Sequence, residues 1–194
     1  MLRAQYGRQL EAEGQVTEAR VEYERVLELD SQHPLANARL SELYRQQAEA
    51  TLSSEGVAAA EPLYEQALQH GFDNSDLENQ IKQQLDEYSR TQEEANNWAE
   101  AEQASRLAAR LISKTEDSQE TLLRVRLGKA RWHLEQQELA AAAAIYQQLL
   151  TEAEVDGPRQ IIENDILRYS QQQEEQNNWS PSRSRSKPAG RTVS

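Results

Sequence analysis

The sequence predicts an all-α fold, built as a solenoid of stacked helix-turn-helix units. Three observations carry this reading. First, an alanine returns every 41 residues, at Ala19, Ala60, Ala101 and Ala142. Second, each is framed alike: Val16, Val57, Trp98 and Leu139 stand three before it, and Tyr23, Tyr64, Ser105 and Tyr146 four after it. The pairs Val26-Leu27, Ala67-Leu68, Ala108-Ala109 and Leu149-Leu150 follow at seven and eight. Offsets of three, four and seven mark one face of an α-helix. A fixed period of this length marks repeats that bury their apolar faces only by stacking. Third, Gly (7) and Pro (5) are scarce, aromatics are only 6%, and the mean hydropathy is −0.90. A thin layer of helices carries more surface per residue than a globule, and that polarity suits it.

The elements follow in order. A helix over about 2–13 carries Tyr6 and Leu10, and Gly14-Gln15 breaks it. A second, over about 16–29, holds Ala19, Tyr23, Val26 and Leu27. Pro34 suits a first helical turn, so a third helix starts there and fades near residue 50, before a polar loop from Thr51 to Gly56. The fourth, about 57–69, ends at His70-Gly71, where glycine is the usual cap. Asp73-Asn74-Ser75-Asp76 offers N-caps to a long helix over about 76–95. Asn96-Asn97 separates it from a helix over about 98–113. Thr115 to Ser118 forms another capping loop, followed by helices over about 119–136 and 139–153. Asp156-Gly157-Pro158 stops and restarts the chain into a helix over about 159–176, whose Ile162, Ile166 and Tyr169 are expected to face Ile145 and Leu149. Tyr169-Ser170 to Asn177-Asn178-Trp179 matches Tyr88-Ser89 to Asn96-Asn97-Trp98, so Trp179 stands where another second-position helix would begin. The repeats are thus about 1–33, 34–74, 75–116 and 117–156, with a half repeat over 157–178, and the Ser/Arg-rich 179–194 has the composition of a disordered tail or linker.

The charge narrows the partners. The net charge is −12, and the last fifteen residues hold four cations and no acid, which leaves about −16 on the rest. Such a body repels phosphate backbones, so nucleic acid is not expected as a ligand and a basic or neutral polar partner is. The absence of Cys removes thiol chemistry and disulfides and leaves cytoplasm and periplasm equally suitable. No apolar run approaches the ~20 residues of a membrane span. His33, His70 and His133 have no metal-ligand spacing, and neither a Gly-x-Ser-x-Gly elbow nor a phosphate loop is present. No catalytic residue, metal or cofactor is therefore expected.

Tyr6-Gly7 and Leu10, then Gly14 in the turn, then Ala19, Tyr23, Val26 and Leu27 resemble the tetratricopeptide repeat. Leu40-Ser41, Tyr44, Ala60, Tyr64 and Ala67, then Ala101 and Ala108, then Leu127-Gly128, Ala142 and Tyr146 continue the likeness, with a period of 41 where the family usually has 34. The resemblance implies a right-handed α-solenoid and a scaffold or adaptor that binds a peptide or helix in the groove lined by the first helix of each repeat. Groove positions would be Arg8, Glu11, Glu42, Arg45, Asp86, Arg90, Lys129 and His133. A homodimer through the C-terminal end of the array is a further expectation. A ligand-sensing module beside an enzyme elsewhere in a longer chain, and a self-assembling array, are the alternatives left open.

Overall fold

The computed structural model describes residues 2–71, 74–112, 116–152 and 157–178. Among the described residues there are nine α-helices and no strand: α1 (Leu2–Ala12), α2 (Val16–Leu29), α3 (Pro34–Glu55), α4 (Val57–His70), α5 (Ser75–Glu94), α6 (Trp98–Leu111), α7 (Glu116–Glu135), α8 (Leu139–Glu152) and α9 (Gly157–Asn178). The chain divides into two compact units, Met1–Arg126 and a second that starts at Leu127. In the first, α1 packs on α2, α3 on α4 and α5 on α6, with further contacts of α2 on α3, α3 on α5 and α4 on α6. In the second, α8 packs on α9. The segment 179–194, with Trp179, lies outside the described residues.

One turn recurs at the 41-residue period. Gly14, Asn96 and Gln137 all adopt positive φ, at 77°, 60° and 63°. In each case that residue's N–H donates to the carbonyl three before it: Glu11, Glu93 and Leu134. The next N–H, of Gln15, Asn97 or Glu138, reaches the carbonyl five before it: Leu10, Gln92 or His133. This is the Schellman closure, which satisfies the last carbonyls of one helix and turns the chain into the next. The second repeat departs from it. There α3 runs on through the segment read as a polar loop, because Leu52 is buried (3% exposed) and the Ser53 and Ser54 hydroxyls fold back onto the Glu49 and Ala50 carbonyls. Gly56, at φ 88°, then stops it.

The alanines that set the period are closed off from solvent. Ala19, Ala60, Ala101 and Ala142 are all 0% exposed, and Tyr23, Tyr64, Ser105 and Tyr146 one turn on are buried with them. A second row, on the first helix of each repeat, keeps the same period: Gly7, Ala48, Ser89 and Ala130, all buried. Each stands sixteen residues before the Tyr or Ser of its own repeat. At Gly7 the purpose is visible, since a Cβ there would lie 2.8 Å from the Tyr23 ring. Small residues at such positions let two helices approach closely. The row three before the alanines is not uniform: Val57 is buried, but Val16 (49%) and Leu139 (54%) face solvent. Tyr6, expected on the packing side of α1, is also exposed.

Polar groups hold the capped ends. His33 Nδ1 accepts the Ala36 N–H and Asn74 accepts that of Leu77, so each caps its helix. Gly56 has no side chain to offer α4. Glu100, from the first turn of α6, supplies the acceptor, at 3.4 Å from Val57 N and 3.3 Å from the Tyr88 hydroxyl.

Candidate functional site

The first helices of the repeats in the first compact unit are α1, α3 and α5. They are joined side by side by polar contacts: Arg39 of α3 lies 3.8 Å from Glu11 of α1, and Gln84 of α5 donates to Glu49 of α3 at 2.7 Å. Two clefts open between α3 and α5. One, of about 350 Å³, is lined by Glu49, Leu52 and Ser53 on one side and by Gln84, Glu87, Tyr88, Thr91 and Gln92 on the other. The other, of about 270 Å³, lies between Ala38, Ser41 and Glu42 and the start of α5, at Asp76, Leu77 and Gln80. Glu42, Glu49, Asp76 and Glu87 give this face four carboxylates. The Arg45 guanidinium faces two of them, at 2.8 Å from Glu42 and 3.3 Å from Glu49.

A hydrogen-bonded chain crosses the floor. The Tyr64 hydroxyl of α4 donates to Gln84 at 3.3 Å, Gln84 donates to Glu49, and Glu49 meets Arg45. Burial raises the Tyr64 pKa, with the Glu49 charge adding to it, so this hydroxyl stays a donor. Glu42 is held below the ordinary carboxylate range, chiefly by its hydrogen bonds from Arg45 and against the opposing effect of burial. A Glu42 carboxylate held ionised and a Tyr64 hydroxyl held protonated suit recognition of cations and amides.

The structure distributes the eight expected groove residues as follows. Glu42 lines the smaller cleft, and Arg45 is engaged with Glu42 and Glu49. Arg8 and Arg90 are exposed on α1 and α5. Glu11 is half-buried, beside Arg39. Asp86 is tied to Lys82 at 3.0 Å with only 16% of its side chain exposed. Lys129 and His133 belong to the second compact unit, where His133 Nδ1 lies 2.6 Å from Glu138 and its carbonyl closes the α7–α8 turn. The cleft residues Glu49, Gln84 and Glu87 are not among the eight. The period could have found Glu49, which stands 41 residues from both Arg8 and Arg90.

In the second compact unit the same theme returns. Asp165 of α9 is buried and receives Arg131 at 2.8 Å and the Tyr146 hydroxyl at 3.4 Å. Burial first, and then the Asp165 charge, push the Tyr146 pKa up to about 12.

Among the described residues no group of three His, Asp or Glu side chains is placed to hold a metal ion, and no helix is long and apolar enough to cross a membrane. In comparisons with known proteins the chain matches no family model, no curated protein and no solved structure.

Proposed function

We propose that this chain is a protein-interaction module: a right-handed solenoid of tetratricopeptide-like repeats that grips a peptide or a helix of basic character on the face of α3 and α5. The observation that carries the reading is the pair of clefts between these helices, bordered by Glu42, Glu49, Asp76 and Glu87. Side-chain amides and hydroxyls of Gln80, Gln84, Gln92 and Thr91 stand beside the carboxylates and match the donors and acceptors of an extended backbone. The acidic charge of the whole chain steers a cationic segment toward this face.

The test places a photo-crosslinking amino acid at Gln92, inside the larger cleft, or at Gln66, exposed on α4. Adducts are expected from position 92 and not from 66. They are expected to disappear with Glu49→Lys/Glu87→Lys, two changes at exposed positions that leave the core intact. Equal adducts from both positions, or adducts untouched by the charge reversal, contradict the reading.

A further inference from the structure

The exposed large apolar side chains are not spread along the chain. Among the described residues they fall in α1 and α2, at Leu2, Tyr6, Val16, Val21 and Leu29, and in α8 and α9, at Leu139, Leu150, Ile161, Ile166 and Leu167. None of the described residues between 30 and 138 joins them. Of the two sets, the one on α9 has a defined origin. The match of Tyr169-Ser170 to Tyr88-Ser89 places Ile162, Ile166 and Ser170 at the positions held by Ile81, Leu85 and Ser89 in α5. In α5 all three are 0% exposed, and Ser89 touches α6 through the Ala101 carbonyl at 3.2 Å and the Ser105 hydroxyl at 3.1 Å. Leu85, one turn before Ser89, shares that face. In α9 Ile162 is buried (2%), whereas Ile166 is 51% exposed and Ser170 is exposed. What stands open on α9 is thus the side by which α5 receives its paired helix.

The geometry points to a second copy of this chain as the occupant, with α9 packing antiparallel on α9 of the partner about a twofold axis between Ile166 and Leu167. The charges on this face complement themselves under that operation. Arg159 and Glu174 are both exposed and lie at equal distances on either side of the axis. They are separated by about 22 Å along the helix and about 60° around it. The twofold sets each Arg159 against the partner's Glu174, and sets Glu163 against Ser170, so no like charges meet at the centre. Ile166 and Leu167 meet their own copies in the middle, and the Arg159–Glu163 contact within one chain, at 3.8 Å and with both side chains 70% exposed, is loose enough to be exchanged. Closed twofold pairs are the commonest assemblies of identical chains. A single helix pair is a small interface, so the dimer should form at high concentration and dissociate on dilution.

The experiment is sedimentation equilibrium of the intact chain from micromolar to near-millimolar concentration. A monomer–dimer equilibrium is expected, and Ile166→Glu is expected to leave only monomer. Arg159→Glu and Glu174→Arg each bring like charges together and should weaken the dimer by about tenfold or more. An equimolar mixture of these two variants should dimerise again, because each chain then meets opposite charges on the other. Circular dichroism of the variants, all at exposed positions, controls for folding. A chain that is monomeric at every concentration, whether its own residues 179–194 cover α9 or the face stays in water, overturns the proposal. So does a dimer that Ile166→Glu leaves intact, or a mixture no more associated than its components.

Discussion

Ser89 and Ser105 face each other in the core with their hydroxyl oxygens 3.1 Å apart, and both reach the Ala101 carbonyl, at 3.2 and 3.1 Å. They occupy the rows held elsewhere by Gly, Ala and Tyr. Gly7 stands against Tyr23, and in the third repeat, which has Ser105 in place of a tyrosine, the small residue opposite is a serine too. Two hydroxyl protons serve these three contacts, so removing either serine takes a partner from the other and leaves it the Ala101 carbonyl alone. Ser89→Ala and Ser105→Ala are each expected to destabilise the chain by about 0.5–1.5 kcal/mol, and the double substitution by less than the sum. Urea unfolding of the two single variants and the double variant measures the coupling; strict additivity would show that the pair does not interact.

Gly7 tests the same contact from the other side. An alanine there gains helix propensity, worth about 1 kcal/mol, but its Cβ would meet the fully buried Tyr23 ring at 2.8 Å. Overpacking of this kind costs about 1–3 kcal/mol, so Gly7→Ala should lower the midpoint in a urea titration. A raised midpoint would mean that the ring has room to move.

The recurring turn makes a prediction of opposite sign. Gln137 holds a positive φ that glycine adopts freely and a glutamine only with strain. Gln137→Gly should therefore stabilise the chain by about 0.5–1 kcal/mol, despite glycine's larger loss of freedom on folding. Gly14→Ala should do the reverse, and through backbone conformation alone, since nothing lies within 4 Å of the added Cβ. Thermal melts of both variants check the signs.

His70 makes stability depend on pH. Its ring stacks on Tyr44, with centroids 5.7 Å apart, and its Nδ1 lies 3.1 Å from Asn37 Oδ1. Asn37 donates its side-chain Nδ2–H to the Ser31 carbonyl, so its Oδ1 faces His70 and Nδ1 carries the proton of a neutral ring. Burial lowers the His70 pKa below the ordinary 6.5, outweighing the opposite pull of Glu24. The unfolded chain therefore binds a proton before the folded one does. The stabilisation is complete above pH 6.5 and drains away as pH falls through that value toward the folded pKa. Urea midpoints measured downward from pH 8, stopping above the carboxylate range, should fall, and His70→Phe should flatten the decline. A profile unchanged by the substitution would place the dependence elsewhere.

The second helix of each repeat was legible in the sequence almost residue by residue, because alanine and tyrosine are conspicuous and recur at a fixed spacing. The first helix was not. Gly7, Ala48, Ser89 and Ala130 keep the same 41-residue spacing, yet glycine, alanine and serine share only smallness, which an apolar pattern does not register. The turn was half legible: Gly14 and Asn96-Asn97 are recognisable breakers, whereas Gln137 does the same task with no propensity for it. On α9, Ile166 was expected in the packed face beside Ile162 and Tyr169, but Asp165 takes that face because Arg131 and Tyr146 neutralise its burial. The groove was expected at polar positions picked one by one. Asp86 is tied to Lys82, and Glu49 and Glu87, not among those positions, line the larger cleft. Lys82 and Asp86 stand four apart on one helix, a spacing that shows their pairing, whereas Gln84 reaches Glu49 across two helices and no spacing along one helix reveals it.

Residues 41 apart occupy equivalent places, and parallel substitutions at three of the alanines test that equivalence. Ala60, Ala101 and Ala142 are fully buried, whereas Ala58, Ala99 and Ala140, two residues before them, are exposed at the same period. Replacing each of the six by leucine and measuring urea unfolding should give two separate groups. The buried three should each lose about 1–3 kcal/mol, and the exposed three should stay within about 0.5 kcal/mol of the parent. If Ala101→Leu or Ala142→Leu costs no more than the same change two residues upstream, positions 41 apart are not equivalent in the structure.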